Sequence, residues 1–283
     1  MTDRRLTPFS GRVGHVSLAG RIADAALTEG EPARILRPLA ALRAAPGGAI
    51  DRQLLYGEAV SVIDRRDGHA FAMAKKDGYC GWLAEADLAP ARAPTHRLIT
   101  PASHLYPEPR VQAEPLHPLW LNALLTVVDS TEAAGGAPSG GTGAWARTPE
   151  GFVPARHLAP LGVFAVDPVT VAESLLCAPY LWGGNSAAGV DCSGLVQLAF
   201  HAAGRGMPAD SDLQQALGAD VAQGDEQRGD LVFWKGHVAL VTGPDRIIHA
   251  NGHSMNVAHE TLSAASARIE GAGGGPILAR KRV

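Results

Sequence analysis

Apolar and polar positions alternate in short runs over the first half of the chain, and helical spacing enters only past its middle. Glu58-Ala59-Val60-Ser61-Val62-Ile63 and the stretch 121–128 have the every-other-residue rhythm of half-buried strands. The character changes after residue 166. Asp167 followed by Pro168 reads as the cap and first residue of a helix over 169–176. Leu195, Val196, Ala199, Phe200 and Ala203 recur at helical spacing, giving a second helix that starts at Cys192 and stops at Gly204. Three apolar runs at 230–234, 237–241 and 246–250 then read as strands. Helices ahead of an antiparallel sheet make this part an α+β domain. Before residue 33 periodicity is weak; only 21–27 suggests a short helix, in an arm expected to pack on the domains.

Two segments repeat one order of residues, the mark of a duplicated module. Asp77-Gly78-Tyr79-Cys80-Gly81-Trp82-Leu83 leads to Leu88-Ala89-Pro90, and Glu150-Gly151-Phe152-Val153-Pro154 leads to Leu158-Ala159-Pro160. Each copy is expected to form one small barrel. The second lacks the closing Gly-Trp pair and carries a Gly-rich stretch, 133–143, that reads as a loop tip. The expected layout is an arm at 1–33, barrels at 34–92 and 93–163, and an α+β domain at 164–283.

Composition narrows the function classes. With 283 residues the chain is long enough for two or three compact units. A hydrophobic fraction of 46% supplies real cores, and 33 glycines with 20 prolines favour short strands and many turns. A net charge of -3 offers no basic footprint, so nucleic acid is not an expected partner. No apolar run is long enough for a signal peptide or a membrane span, and a cytoplasmic location without membrane contact is expected. Cys80, Cys177 and Cys192 are too few for a disulfide framework. Cys80 and Cys177 read as inert buried cysteines.

Cys192 differs by its place. A cysteine at a helix start meets unpaired N–H groups and the positive end of the dipole, which is expected to lower its thiol pKa. A base must take its proton, and His237, first residue of a strand, is suited to that near neutral pH. A third polar group must orient the imidazole. His249 is the natural candidate, because a turn at Gly243-Pro244-Asp245 folds its strand beside that of His237; Asn251, His253 and His259 are competitors.

Tyr180-Leu181-Trp182-Gly183-Gly184, Asp191-Cys192-Ser193-Gly194-Leu195, Gly229 to Trp234, His237 and His249 stand in the order seen in the NlpC family of cell-wall cysteine peptidases, and 166–283 resembles that family. Gly57-Glu58 with Asp77 to Trp82 resembles the bacterial SH3-like domain. The resemblance implies an α+β chain whose papain-like peptidase domain follows two SH3-like β-barrels. It implies hydrolysis of the γ-D-glutamyl to diamino-acid bond of murein peptides by Cys192, His237 and His249. It further implies that Tyr180, Ser193, Asp210 and Ser211 hold an N-terminal L-Ala-γ-D-Glu, with Glu58 a second partner for its ammonium if the first barrel caps the cleft.

Each residue has a plainer reading beside this. Asp191 is explained by helix capping, Trp182 by core packing, and Asp210 by a cap before 213–217. A zinc site lacks any closely spaced Cys or His pair, so no metal or cofactor is expected. Two rival functions are an exported hydrolase binding polymeric murein and a non-catalytic murein-binding module; the intact Cys192, His237 and His249 set argues against the second. An acyltransferase using the same set is a lesser alternative. Self-association is not legible in the sequence.

Overall fold

The computed structural model describes residues 3–22, 25–131 and 144–283. The chain divides into two compact units, Met1–Val163 and Phe164–Val283.

Val60, Val62, Ala70, Ala72, Ala74 and Leu83 are buried on strands of a seven-stranded antiparallel sheet. Its order is Ile50–Leu55, Leu39–Arg43, Cys80–Ala84, His69–Ala74, Ala59–Arg66, Glu31–Ile35 and Leu88–Pro90. Glu31–Ile35 crosses the expected 33/34 boundary, so the first barrel sheet begins at residue 31. Gly81 is required where two strands press together, because a Cβ there would stand 2.8 Å from Leu42 Cγ and 2.9 Å from the Arg43 carbonyl oxygen. A bulge between Val62 and Asp64 adds Ile63 to a cluster with Phe71, Cys80 and Trp82. Val13 of the arm packs on that cluster, Ser10 Oγ donates to Asp64 at 2.8 Å, and Arg4 pairs with Asp51 at 2.8 Å.

The helix expected at 21–27 does not form among the described residues. Arg21 and Ile22 lie in a turn, and Ala26–Thr28 is a strand parallel to Val13–His15. A segment this short cannot repay helix nucleation, whereas an existing strand offers it partners at once.

Residues 96–131 and 144–160 form three small antiparallel sheets, among the described residues, around Leu98, Leu105, Leu119, Ala123, Leu125 and Val153. The alternation over 121–128 appears as burial, with Leu121, Ala123 and Leu125 inside. Its ladder is confined to Leu124–Leu125, since Asn122 has a left-handed φ of 69° and breaks the extended run. The Gly-rich stretch 133–143 lies outside the described residues.

In the second unit Asp167 caps the helix Pro168–Glu173, its carboxylate accepting from the Val169 and Thr170 N–H groups. That helix is shorter than the sequence pattern predicts. Cys192–Ala202 is the second helix, buried along nearly its whole length. Beside it lies a six-stranded antiparallel sheet ordered Ala219–Asp220, Ala279–Arg282, Leu231–Trp234, His237–Gly243, Arg246–Asn251 and Asn256–Thr261. The three expected strands are its centre. The polar strand Asn256–Thr261, the helix Leu262–Gly271 and the strand Ala279–Arg282 complete it without a clear apolar rhythm of their own.

Candidate active site

Asp191 builds the start of the Cys192–Ala202 helix. It is half-buried, and its Oδ1 accepts from the Gly194 N–H at 2.7 Å and from Ser193 Oγ at 3.1 Å. Its Oδ2 accepts from the Gly183 N–H at 2.9 Å, which ties the Tyr180 to Gly184 segment to the helix start. Burial raises the Asp191 carboxyl above its ordinary range, with the charge of Asp210 adding to it and the N–H donors opposing. Gly194 allows the close approach of the two segments: a Cβ there would lie 2.4 Å from the Gly184 carbonyl oxygen.

Cys192 is buried at this helix start. The main-chain N–H groups of Val238, Ser193 and Cys192 itself favour its anionic form, yet burial pushes the thiol up to about 12, and the Asp191 charge acts with burial. The sequence expectation of a lowered thiol pKa is therefore corrected: desolvation outweighs the helix terminus. Val238 is the residue after His237, so its amide brings the first residue of the strand His237–Gly243 to the sulfur's side.

His237 and His249 share one sheet face, because Leu240 pairs with Ile248 across adjacent strands and this register sets the two histidines diagonally. His237 Nε2 is 3.0 Å from His249 Nδ1. Burial lowers His237 to about 3, with His249 and Arg268 acting the same way and Glu260 opposing. Burial also lowers His249 to about 4, against Glu260. Both rings are neutral at neutral pH.

The other candidates sort as follows. Tyr180 lies by Cys192 and Asp191, and burial pushes its phenol up to about 12, with the Asp191 carboxylate acting the same way. Ser193 is held by Asp191. Asp210 occupies the N-cap position of the short helix Ser211–Gln214, where no cap bond from its side chain forms, and its charge acts on Asp191. Gln214 joins this segment to the helix start, its Nε2 donating to the carbonyls of Ser193 and Pro208, each at 2.9 Å. Cys192, Tyr180, Ser193, Asp191 and Asp210 are thus gathered together.

Glu58 belongs to the first unit, where Lys76 Nζ donates to its Oε1; the carboxylate offered by sequence to a substrate ammonium already has an ammonium partner. Trp182 is corrected from core residue to surface residue. It is 72% exposed in the turn made by Gly183, whose φ is 71°. Cys177 is likewise exposed rather than buried, at φ 67° with its N–H bonded to the Val257 carbonyl. Among the competitors of His249, Asn251 Oδ1 is taken up by the N–H groups of His253 and Ser254. His259 Nε2 is 3.7 Å from Glu173.

Two groups escaped sequence reading. Glu260 Oε2 lies 3.2 Å from His249 Nε2, outside the alignment of a full hydrogen bond, and Arg268 binds both oxygens of Glu260 at 3.1 and 2.5 Å. Gln214 is the other. A surface groove of about 680 Å³ lies at the far end of the His237–Gly243 strand, lined by Gly243, Pro244, Asp245 and Arg246, and contains none of the candidate residues.

Comparison with known proteins bears on this cluster directly. Residues 177–269 match the NlpC/P60 family, and residues 42–88 match the bacterial dipeptidyl-peptidase Sh3 domain. The chain carries an NlpC/P60 cysteine peptidase domain. The NlpC/P60 match spans the Cys192 helix and both histidine strands. The chain is 27% identical over 224 residues to a γ-D-glutamyl-L-lysine dipeptidyl-peptidase of Bacillus cereus, covering 71% of this chain and 67% of that protein. It is 28% identical to dipeptidyl-peptidase 6 of Lysinibacillus sphaericus, over 72% of this chain and 82% of the other. A crystal structure of an NlpC/P60 family protein from Bacillus cereus superposes with a TM-score of 0.72 at 20% identity, over 89% of this chain and 99% of that one, a likeness of fold.

Proposed function

We propose that this NlpC/P60 peptidase hydrolyses the γ-D-glutamyl to diamino-acid bond of murein peptides, releasing L-Ala-γ-D-Glu from short peptides with an unblocked N-terminal L-Ala. Cys192 is the nucleophile, His237 its base and His249 the residue that orients His237, on a papain-like plan. The observation that carries the reading is the Val238 amide at the Cys192 thiol, together with 3.0 Å between His237 Nε2 and His249 Nδ1. With a protonated thiol and a neutral imidazole at rest, the proton passes to His237 Nδ1 as sulfur attacks the carbonyl carbon. Backbone N–H groups at the helix start stabilise the oxyanion. His237 then protonates the departing amine as the C–N bond breaks, and water, deprotonated by the same ring, hydrolyses the thioester. Asp210 meets the substrate ammonium, since a buried cation needs a carboxylate partner; Tyr180, Ser193 and Ser211 flank it. The names of the two bacterial relatives support the dipeptidyl-peptidase reading. A cytoplasmic role in recycling wall peptides fits such substrates and is part of the proposal.

The test offers L-Ala-γ-D-Glu-diamino acid and its N-acetylated form to the wild type and to Cys192→Ala. Cleavage of the first only, and its loss in Cys192→Ala, is expected. Equal cleavage of both peptides refutes recognition of the amine, and an active Cys192→Ala refutes the nucleophile.

A further inference from the structure

Sheet register places a carboxylate beside His249, the third member of the proposed catalytic set. His249 pairs with Ala258, and Glu260, two residues further along the strand Asn256–Thr261, shares that face and lies on the diagonal. The arrangement runs His237 Nε2 to His249 Nδ1 at 3.0 Å, then His249 Nε2 to Glu260 Oε2 at 3.2 Å, then Glu260 to Arg268 by two bonds. His249 is 1% exposed, so water does not choose its tautomer.

Two neutral arrangements of the histidine pair exist, because one proton lies between His237 Nε2 and His249 Nδ1. If His249 carries it, His237 must hold its own proton on Nδ1 and cannot accept another there, while the lone pair of His249 Nε2 faces the Glu260 carboxylate. If His237 carries it, His249 Nε2–H faces that carboxylate and His237 Nδ1 is a bare lone pair. The charge of Glu260 favours the second. Arg268 hydrogen-bonds Glu260 and holds its carboxyl below the ordinary range, so that charge persists at neutral pH.

We infer that Glu260, clamped by Arg268, is a positioning residue that fixes the proton of His249 on Nε2 and thereby leaves His237 Nδ1 open to receive the thiol proton. The inference rests on His237 being the base. That reading fails separately, if His237→Ala still hydrolyses peptide, whereas ring nitrogen signals report on Glu260 without turnover.

The experiment records imidazole ¹⁵N shifts of the labelled full chain, assigned with His249→Gln, in the wild type, Glu260→Leu and Glu260→Gln. In the wild type His249 Nε2 is expected to be protonated. In Glu260→Leu it becomes a mixture of tautomers, and kcat/KM falls about tenfold to a hundredfold, the scale set by outer partners that orient a histidine, with KM changed less than twofold. Glu260→Gln, which keeps an acceptor oxygen but loses the charge, falls between the two. If Glu260→Leu does not fold, Arg268→Met replaces it, with a smaller shift in the same direction expected. Unaltered His249 signals in the folded variant overturn the inference, as does a kcat/KM within twofold of wild type.

Discussion

Burial sets the resting protonation of the two histidines, and stability inherits a pH dependence from it. In the unfolded chain both rings bind protons near pH 6.5; in the folded site burial lowers them to about 3 for His237 and about 4 for His249. Between these limits the unfolded state binds more protons, so stability rises with pH. The contribution is complete above about pH 6.5 and is lost as pH falls toward 4 and then 3. Melting temperatures taken from pH 7.5 to 4 should fall on the acid side, and His249→Gln should flatten that fall; a parallel curve would contradict the assignment. The residues of the Asp191-Cys192 block were legible in sequence because a capping carboxylate and a helix start are local. Glu260 was not, because its place depends on a register two strands from His237.

At the scale of elements, one carboxylate joins a turn to a helix. Asp191 holds the N–H groups of both Gly183 and Gly194. Asp191→Ala should cost about 1–2 kcal/mol as a lost cap. It should also lower kcat/KM by loosening the Tyr180 to Gly184 segment, with Asp191→Asn between the two. Urea denaturation alongside kinetics would check this; a cap loss with unchanged kcat/KM would show that the turn is held by other contacts. The central strands 231–234, 237–243 and 246–251 were readable from continuous apolar runs. Asn256–Thr261 was not, since only Val257 in it is buried. Trp182 was misread because a glycine turn outside it, rather than its own hydrophobicity, decides which way it faces.

For the whole molecule, three cysteines in three settings make thiol chemistry separable. Cys80 is buried in the first unit, Cys177 is exposed, and Cys192 lies at the site. Iodoacetamide should therefore modify Cys177 without affecting hydrolysis and Cys192 with its loss. In Cys177→Ser, one label per chain should track inactivation, read by intact mass. Activity surviving full labelling of Cys192 would count against thiol catalysis. Cys80, packed among Ile63, Phe71 and Trp82 without the neighbouring base proposed for Cys192, should stay unlabelled.

The strand Ala279–Arg282 lies inside the second unit's sheet, between Ala219–Asp220 and Leu231–Trp234, and not at its border. During synthesis the strand 231–234 leaves the ribosome about fifty residues before that neighbour does, so its hydrogen-bonding edge stays bare for several seconds at ordinary elongation rates. A translation product ending between residues 268 and 279 would carry every residue of the proposed chemistry and still lack the second of the six strands in the sheet on which the histidines stand. Strand order alone thus makes closure of this sheet wait for residues 279–282.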